Sequence, residues 1–343
     1  MPRPASTAAS GAPDAPNPIP SVTAQPFPRL ALGIATLTLG ALAMGASVLF
    51  VRQADVGPFA SAFWRVGLAL PVLAAWAALA EGRRAFRPDR ASLLAGGFFA
   101  GDLIFWHLAI LGTTVANATV LATTSPVWIT AFAVLVLRQK VSRAGWTGLG
   151  LCGLGALALV GRSWQFDPAH LPGDAAGLVT ALFFAGYFLA LSRARLTRSA
   201  AAATLVSTAA TTVILFGVAL LAELNLWPAS AGGVAALVAL ALVAQVGGQG
   251  LMAVGLALVP PAFGALVFFL EVVSAAVLGA VLLHEPIGAL QAVGGLLILT
   301  GLVVARPRQA EGRALPRSRP DPAAEGAATA QDRPPDRPSS RGH

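Results

Sequence analysis

The chain has 343 residues, 56% hydrophobic and only 11% charged, with a mean hydropathy of +0.73; a soluble domain carries about 25% charged residues. A water-soluble fold around one buried core is thereby excluded. The net charge of +8 does not mark a nucleic-acid binder either, because the basic residues sit in short loops and tails rather than on one continuous surface.

In chain order, residues 1–28 are rich in Pro, Ala and Ser and lack an apolar core, so they are read as a disordered tail and not as a cleavable signal. Ten apolar stretches follow, at 30–51, 57–80, 93–112, 115–137, 144–161, 174–192, 201–222, 232–256, 262–283 and 287–305. Each is close to the roughly 20 residues with which a helix crosses about 30 Å of hydrocarbon, and without water to solvate exposed amides such a segment must be helical. The expected fold is an all-α membrane protein of ten transmembrane helices, five in 30–161 and five in 174–305. The tail 306–343 mixes Arg, Asp, Pro and Ser without periodicity and is expected to be disordered.

Loop charge sets the orientation. One set of alternate loops holds Arg83, Arg84, Arg87, Arg90, Arg138, Lys140, Arg143, Arg193, Arg195 and Arg198, whereas the opposite set holds Arg52 and Arg162 among Asp55, Asp167, Asp174 and Glu223. The basic side is expected to be cytoplasmic, together with both termini. Trp164 and Trp227 fall in the opposite loops, at headgroup level. Lys140 is the only lysine, and that bias toward Arg, with abundant Ala and Gly, fits a GC-rich bacterial genome and an inner membrane. Cys152, alone in the fifth stretch, has no partner for an intramolecular disulfide and reads as a small apolar filler.

A shift of 146 positions lays the fourth and fifth stretches over the ninth and tenth. Pro126-Val127 then meets Val272-Val273, Gln139 meets Glu285, and Gly148 and Gly155 meet Gly294 and Gly301. With five spans per half, the second half enters the membrane inverted, which places a substrate site near the midplane between the halves. Leu270-Glu271-Val272-Val273-Ser274-Ala275 followed by Leu283-His284-Glu285-Pro286 resembles the ninth-helix signature of the drug/metabolite transporter superfamily, EamA type. Ser125-Pro126-Val127, Phe63-Trp64-Arg65 and the run Ala181 to Tyr187 resemble further family motifs, over about 30–305. Val272 stands where the family carries Pro, His284 where it carries Gly, and Leu137-Arg138-Gln139 where it carries Leu-Gly-Glu. The resemblance implies a bundle around a central cavity with the fifth and tenth helices at the periphery, and export or uptake of small metabolites by alternating access.

Ionisable groups inside a bilayer cost at least about 2.5–3.5 kcal/mol on insertion scales and need a partner or a wet cavity. Arg65, Asp102 and Glu271 are such groups. Glu271 shares its helix with no Lys or Arg, so it is either a site for a proton or a cationic substrate group, or a neutral side chain bonded between helices. Arg65 and Asp102 lie at similar depth on consecutive helices, as a structural ion pair or as substrate contacts; a pair would leave Glu271 unbalanced. Gln245 and Gln249, four apart, share a helix face and either bond a polar substrate or join helices. Trp64, Trp106, Trp128 and Tyr187 either wall a cavity or pack elsewhere. His107 and Asp102 do not share a face, so His107 reads as a satisfied side chain, and Glu285 reads as a capping group. Gly97 and Gly101 match small-xxx-small spacing, which leaves a homodimer open.

No nucleotide-binding, metalloprotease or CxxC motif occurs, and the four His residues are scattered. No cofactor or metal is expected; the partners are the lipid bilayer and a small-molecule substrate. The leading reading is a secondary transporter of small polar metabolites, amino acids or related compounds, with efflux and proton coupling as its finer form. The alternatives are an intramembrane enzyme, for which Ser47, Ser125 and Ser274 lack a paired His, and a non-transporting scaffold.

Overall fold

Because these apolar runs can satisfy their amides only within themselves, they form helices, and the computed structural model describes residues 27–136, 138–160, 167–282, 284 and 287–307 with no strand among them. Span 1 comprises α1 (Phe27–Gly45) and α2 (Ser47–Gln53). Span 2 comprises α3 (Pro58–Gly67) and α4 (Leu70–Glu81) and ends in a 3₁₀ turn, Gly82–Phe86. Span 3 is α5 (Arg90–Gly112), span 4 is α6 (Val115–Ala122) with α7 (Ser125–Leu135), and span 5 is α8 (Arg143–Val160). Span 6 is α9 (Leu171–Ala194) and span 7 is α10 (Ala200–Ala222). Span 8 runs from α11 (Ala231–Ala239) through a π-helix (Leu240–Gln249) into α12 (Gly250–Leu256). Span 9 comprises α13 (Pro261–Val267) and α14 (Phe269–Leu282), and span 10 is α15 (Ala289–Ala305). Among the described residues nine spans are long and apolar enough to cross a membrane, and α15, at 17 residues, is a shorter apolar tenth. The tails before Phe27 and after Pro307, with Arg162, Trp164 and Glu285, lie outside the described residues.

The interruptions have local causes. Pro71 and Pro126 open α4 and α7, where a missing N–H and a ring clash with the preceding turn stop a continuous helix. At the span 4 break, the hydroxyls of Thr123 and Thr124 donate to the carbonyls of Val120 (2.8 Å) and Leu121 (2.6 Å). Span 9 breaks at Phe268, although Val272 stands where a proline would be expected. Its turn is closed by Glu271 N–H donating to the Phe268 carbonyl at 2.9 Å. The two breaks are equivalent, since Thr123 precedes Phe269 by the same 146 positions.

The same symmetry appears at the helix ends. Arg138 (φ 51°) and His284 (φ 55°), again 146 apart, both adopt the left-handed conformation. Gln139 N–H donates to the Ala133 carbonyl at 2.9 Å, six residues back across this left-handed position, a conformation that glycine usually fills. Spans 5 and 10 pack chiefly on each other. A Cβ on Gly155 would fall 2.6 Å from the Gly294 carbonyl oxygen, and one on Gly148 2.7 Å from that of Gly301, so these matched glycines set the distance between the two helices.

α1 begins and α15 ends at one face, the terminal face. There Arg198 is the hub. Its Nη1 donates to the Arg87 carbonyl (2.7 Å) and pairs with Asp89 (3.2 Å), Nη2 donates to the Ala85 carbonyl (2.9 Å), and Nε lies 3.3 Å from Glu81. At the opposite face the Glu223 carboxylate accepts from the N–H groups of Phe59 (2.7 Å) and Ala60 (3.1 Å). It thereby satisfies the open N-terminus of α3.

Candidate functional site

Polar side chains converge where spans 2, 3, 6, 7, 8 and 9 meet. α3 places Arg65 in its last turn. Its Nε donates to Gln245 Oε1 at 3.3 Å, and Gln245 Nε2 donates to Thr208 Oγ1 at 3.1 Å. The guanidinium stands over the Phe99 ring, 5.8 Å from its centroid, within cation–π range. Phe99 stacks on Tyr187 with centroids 4.7 Å apart, and the Tyr187 hydroxyl donates to Gln249 Oε1 at 2.7 Å. One chain of contacts thus runs from Gln249 to Thr208. Among the described residues Arg65 Nη2 and Gln249 Nε2 are buried donors without a hydrogen-bond partner. Leaving such groups unmet costs about 1–3 kcal/mol each, which an acceptor from outside the chain would recover.

Asp102 is buried in the middle of α5, and Glu271 lies in the first turn of α14. Both lie within electrostatic range of Arg65. Among the described residues no direct ion pair joins Arg65 to either carboxylate. The expected Arg65–Asp102 pair is therefore absent, because equal depth on consecutive helices does not aim two side chains at each other. Glu271 thus has a cation of another helix, Arg65, within electrostatic range. The N-terminus of the half-helix α14 adds a favourable dipole worth about 0.3–1 kcal/mol to an anion there.

On the terminal side of the breaks α13 packs on α7, whereas beyond them α6 packs chiefly on α9 and α14 chiefly on α1. Glu271, Leu121 and Ala122 all retain partial exposure. The crossing of α1 and α14 is tight: a Cβ on Gly45 would fall 2.5 Å from the Glu271 carbonyl oxygen, and Ser274 Oγ donates to the Leu42 carbonyl at 2.9 Å.

Gln245 and Gln249 lie in the π-helical segment, both fully buried, in a conformation common at functional sites. The other candidates lie elsewhere. Trp64 belongs to a cluster at the face away from the termini, where its Nε1 donates to the Leu226 carbonyl (2.6 Å) and its ring meets Trp227 (5.0 Å). Trp106 is half-buried on α5 without a polar contact among the described residues. Trp128 is exposed and donates to Thr124 Oγ1 at 3.3 Å. His107 Nδ1 donates to the Leu103 carbonyl at 2.6 Å, the satisfied state expected of it. Among the described residues no cluster of His, Cys, Asp or Glu is arranged to hold a metal. Sequence reasoning missed Phe99 and Thr208. The second had a signal, because Thr204, Ser207, Thr208 and Thr211 form one buried stripe on α10.

A family model, the EamA-like transporter family, matches residues 31–161 and 171–306, one match on each half. The chain belongs to that family. It is a transporter of the drug/metabolite type, a multi-pass membrane protein built from two such repeats, and its family consists of transporters rather than enzymes. No curated protein sequence matches it. Among 29 matching solved chains is a crystal structure of a protein with 21% identity, covering 81% of this chain and 96% of that one at a TM-score of 0.70. At that identity the likeness concerns the fold alone.

Proposed function

We propose that this EamA-family protein is a secondary transporter that exports small polar metabolites, amino acids or related compounds, by alternating access and in exchange for protons. The reading rests above all on one observation: a buried cation, Arg65, has a guanidinium nitrogen without a partner among the described residues, with two carboxylates, Asp102 and Glu271, within electrostatic range of it. Such a set offers opposite charges to a zwitterion, and the unmet donors on Arg65 and Gln249 offer hydrogen bonds to its carboxylate. Glu271, which keeps partial exposure, is the proton carrier in this scheme. The positive-inside count supports a cytoplasmic terminal face in a bacterial inner membrane. A periplasmic phosphatase fused to the C-terminus should then be inactive.

The test is transport by the purified full chain in proteoliposomes, using a radiolabelled panel of amino acids, their decarboxylated amines and their deaminated acids. Saturable transport of the zwitterions, at least tenfold above both singly charged sets and lost in Arg65→Leu, is the expected result. Equal transport of all three sets, or none of any, would remove the proposal.

A further inference from the structure

The 3₁₀ turn Gly82–Phe86 and the start of α5 carry an unusual charge arrangement. Arg83, Arg84, Arg87 and Arg90 are all exposed, and among the described residues none of their guanidinium groups makes a hydrogen bond or ion pair. The two acids of the same segment are already taken. Glu81 pairs with Arg198 and accepts from Ser199 N–H, and Asp89 pairs with Arg198 and caps α5 by accepting from Ser92 N–H at 2.9 Å. Phe86, 53% exposed, stands among these four arginines. The segment is held in place from below, because Arg198 clamps the Arg84, Ala85 and Arg87 carbonyls.

Directly beneath Arg90 an apolar groove runs along the lipid-facing side of spans 3 and 6, lined by Leu93, Leu94, Gly97, Phe98 and Phe183. From Arg90 to Phe98 it covers roughly 12 Å at helical rise. Its aromatic wall is built in by reciprocal packing. Phe98 lies against Gly186, where a Cβ would fall 2.6 Å from the ring, and Phe183 lies against Gly101, at 2.3 Å. Gly97 has nothing within 4 Å of a Cβ position, which leaves the floor open.

We infer that the Gly82–Arg90 segment and the groove beneath it form one binding site for an anionic phospholipid, its headgroup among the four arginines and an acyl chain along Leu94, Gly97 and Phe98. Charge complementarity selects the occupant. Uncompensated juxtamembrane arginines attract anionic headgroups, and a groove that faces hydrocarbon and starts at a cation fits an amphiphile rather than a soluble anion. The site requires only that the chain spans a membrane, so it stands or falls apart from the transport reading.

Native mass spectrometry of the full chain in mild detergent tests it, with titration by phosphatidylglycerol and phosphatidylcholine of identical acyl chains. The wild type should bind phosphatidylglycerol at least tenfold more tightly. Replacing all four arginines by Gln should abolish that preference, at on the order of fivefold per arginine until the two lipids bind alike. Gly97→Leu, which fills the groove without touching charge, should weaken phosphatidylglycerol at least threefold. Thermal melting confirms that each variant is folded, and should the fourfold variant unfold, Arg83→Gln/Arg90→Gln takes its place. Equal binding of both lipids by the wild type, a preference that survives loss of the arginines, an unaltered affinity in Gly97→Leu, or full displacement of the lipid by millimolar inorganic phosphate would each overturn the assignment.

Discussion

Arg65 donates through Nε to Gln245 at 3.3 Å and thereby ties span 2 of the first repeat to span 8 of the second. A double-mutant cycle of Arg65→Lys and Gln245→Leu should accordingly show a coupling of about 1 kcal/mol in thermal stability. The charge-swapped pair Arg65→Asp with Asp102→Arg should be no better than the worse single variant. Recovery in the swapped double would mean that the two charges pair after all.

Glu271 keeps partial exposure and sits at a half-helix start. Glu271→Gln keeps the shape and hydrogen-bonding capacity but cannot titrate. It should insert and melt like the wild type, lose at least tenfold of transport driven by a pH gradient, and retain substrate exchange. A variant with normal gradient-driven transport and unaltered pH dependence would reduce Glu271 to a structural group.

Arg138 and His284 occupy left-handed backbone positions, which cost a residue with a Cβ roughly 1–2 kcal/mol. Replacement by Gly should raise stability at each position by about 0.5–1 kcal/mol, after the greater chain entropy of Gly is deducted. Melting of the two single variants and the double measures this. The effects should add, because the two positions lie on different helix ends; a fall in stability would contradict the reading.

Gly45→Leu should separate α1 from α14, since even a methyl group there meets the Glu271 carbonyl and Ser274. Overpacking of this kind costs about 1–3 kcal/mol. Lower melting and lost transport in a protein that still inserts are the expected result, and unchanged melting would show that the crossing is looser than described.

Arg198→Leu removes a buried cation from Glu81, Asp89 and three carbonyl groups at once. Breaking a buried pair from one side costs about 3–5 kcal/mol, so this variant should be the least stable of the set. Glu81→Gln, which keeps a hydrogen-bonding group in place, should cost less than half as much by the same melting measurement.

The ten spans were legible because length and hydropathy alone determine whether a segment can cross a bilayer. The surroundings of Arg65 were half legible. Depth along a helix can be counted from the sequence, but the angle around it cannot be once the helix is broken or π-wound, and that angle turned Arg65 toward Gln245 instead of Asp102. The break at Phe268 was hidden for a similar reason. No proline marks it, and what accompanies it is tertiary, the close approach of Gly45 on another helix to Glu271 and Ser274. For Trp64 the sequence left a cavity wall and packing elsewhere both open, because Leu226 and Trp227, which it meets, are brought near only by the fold.

The two breaks, at Thr123–Thr124 and at Phe268, fall at matched places in the two repeats, and on the terminal side of them α7 packs on α13. In the transport scheme proposed above, the change of access needs rotation at only these two joints, where the backbone is already interrupted. No helix has to melt, and no backbone amide has to be bared to lipid.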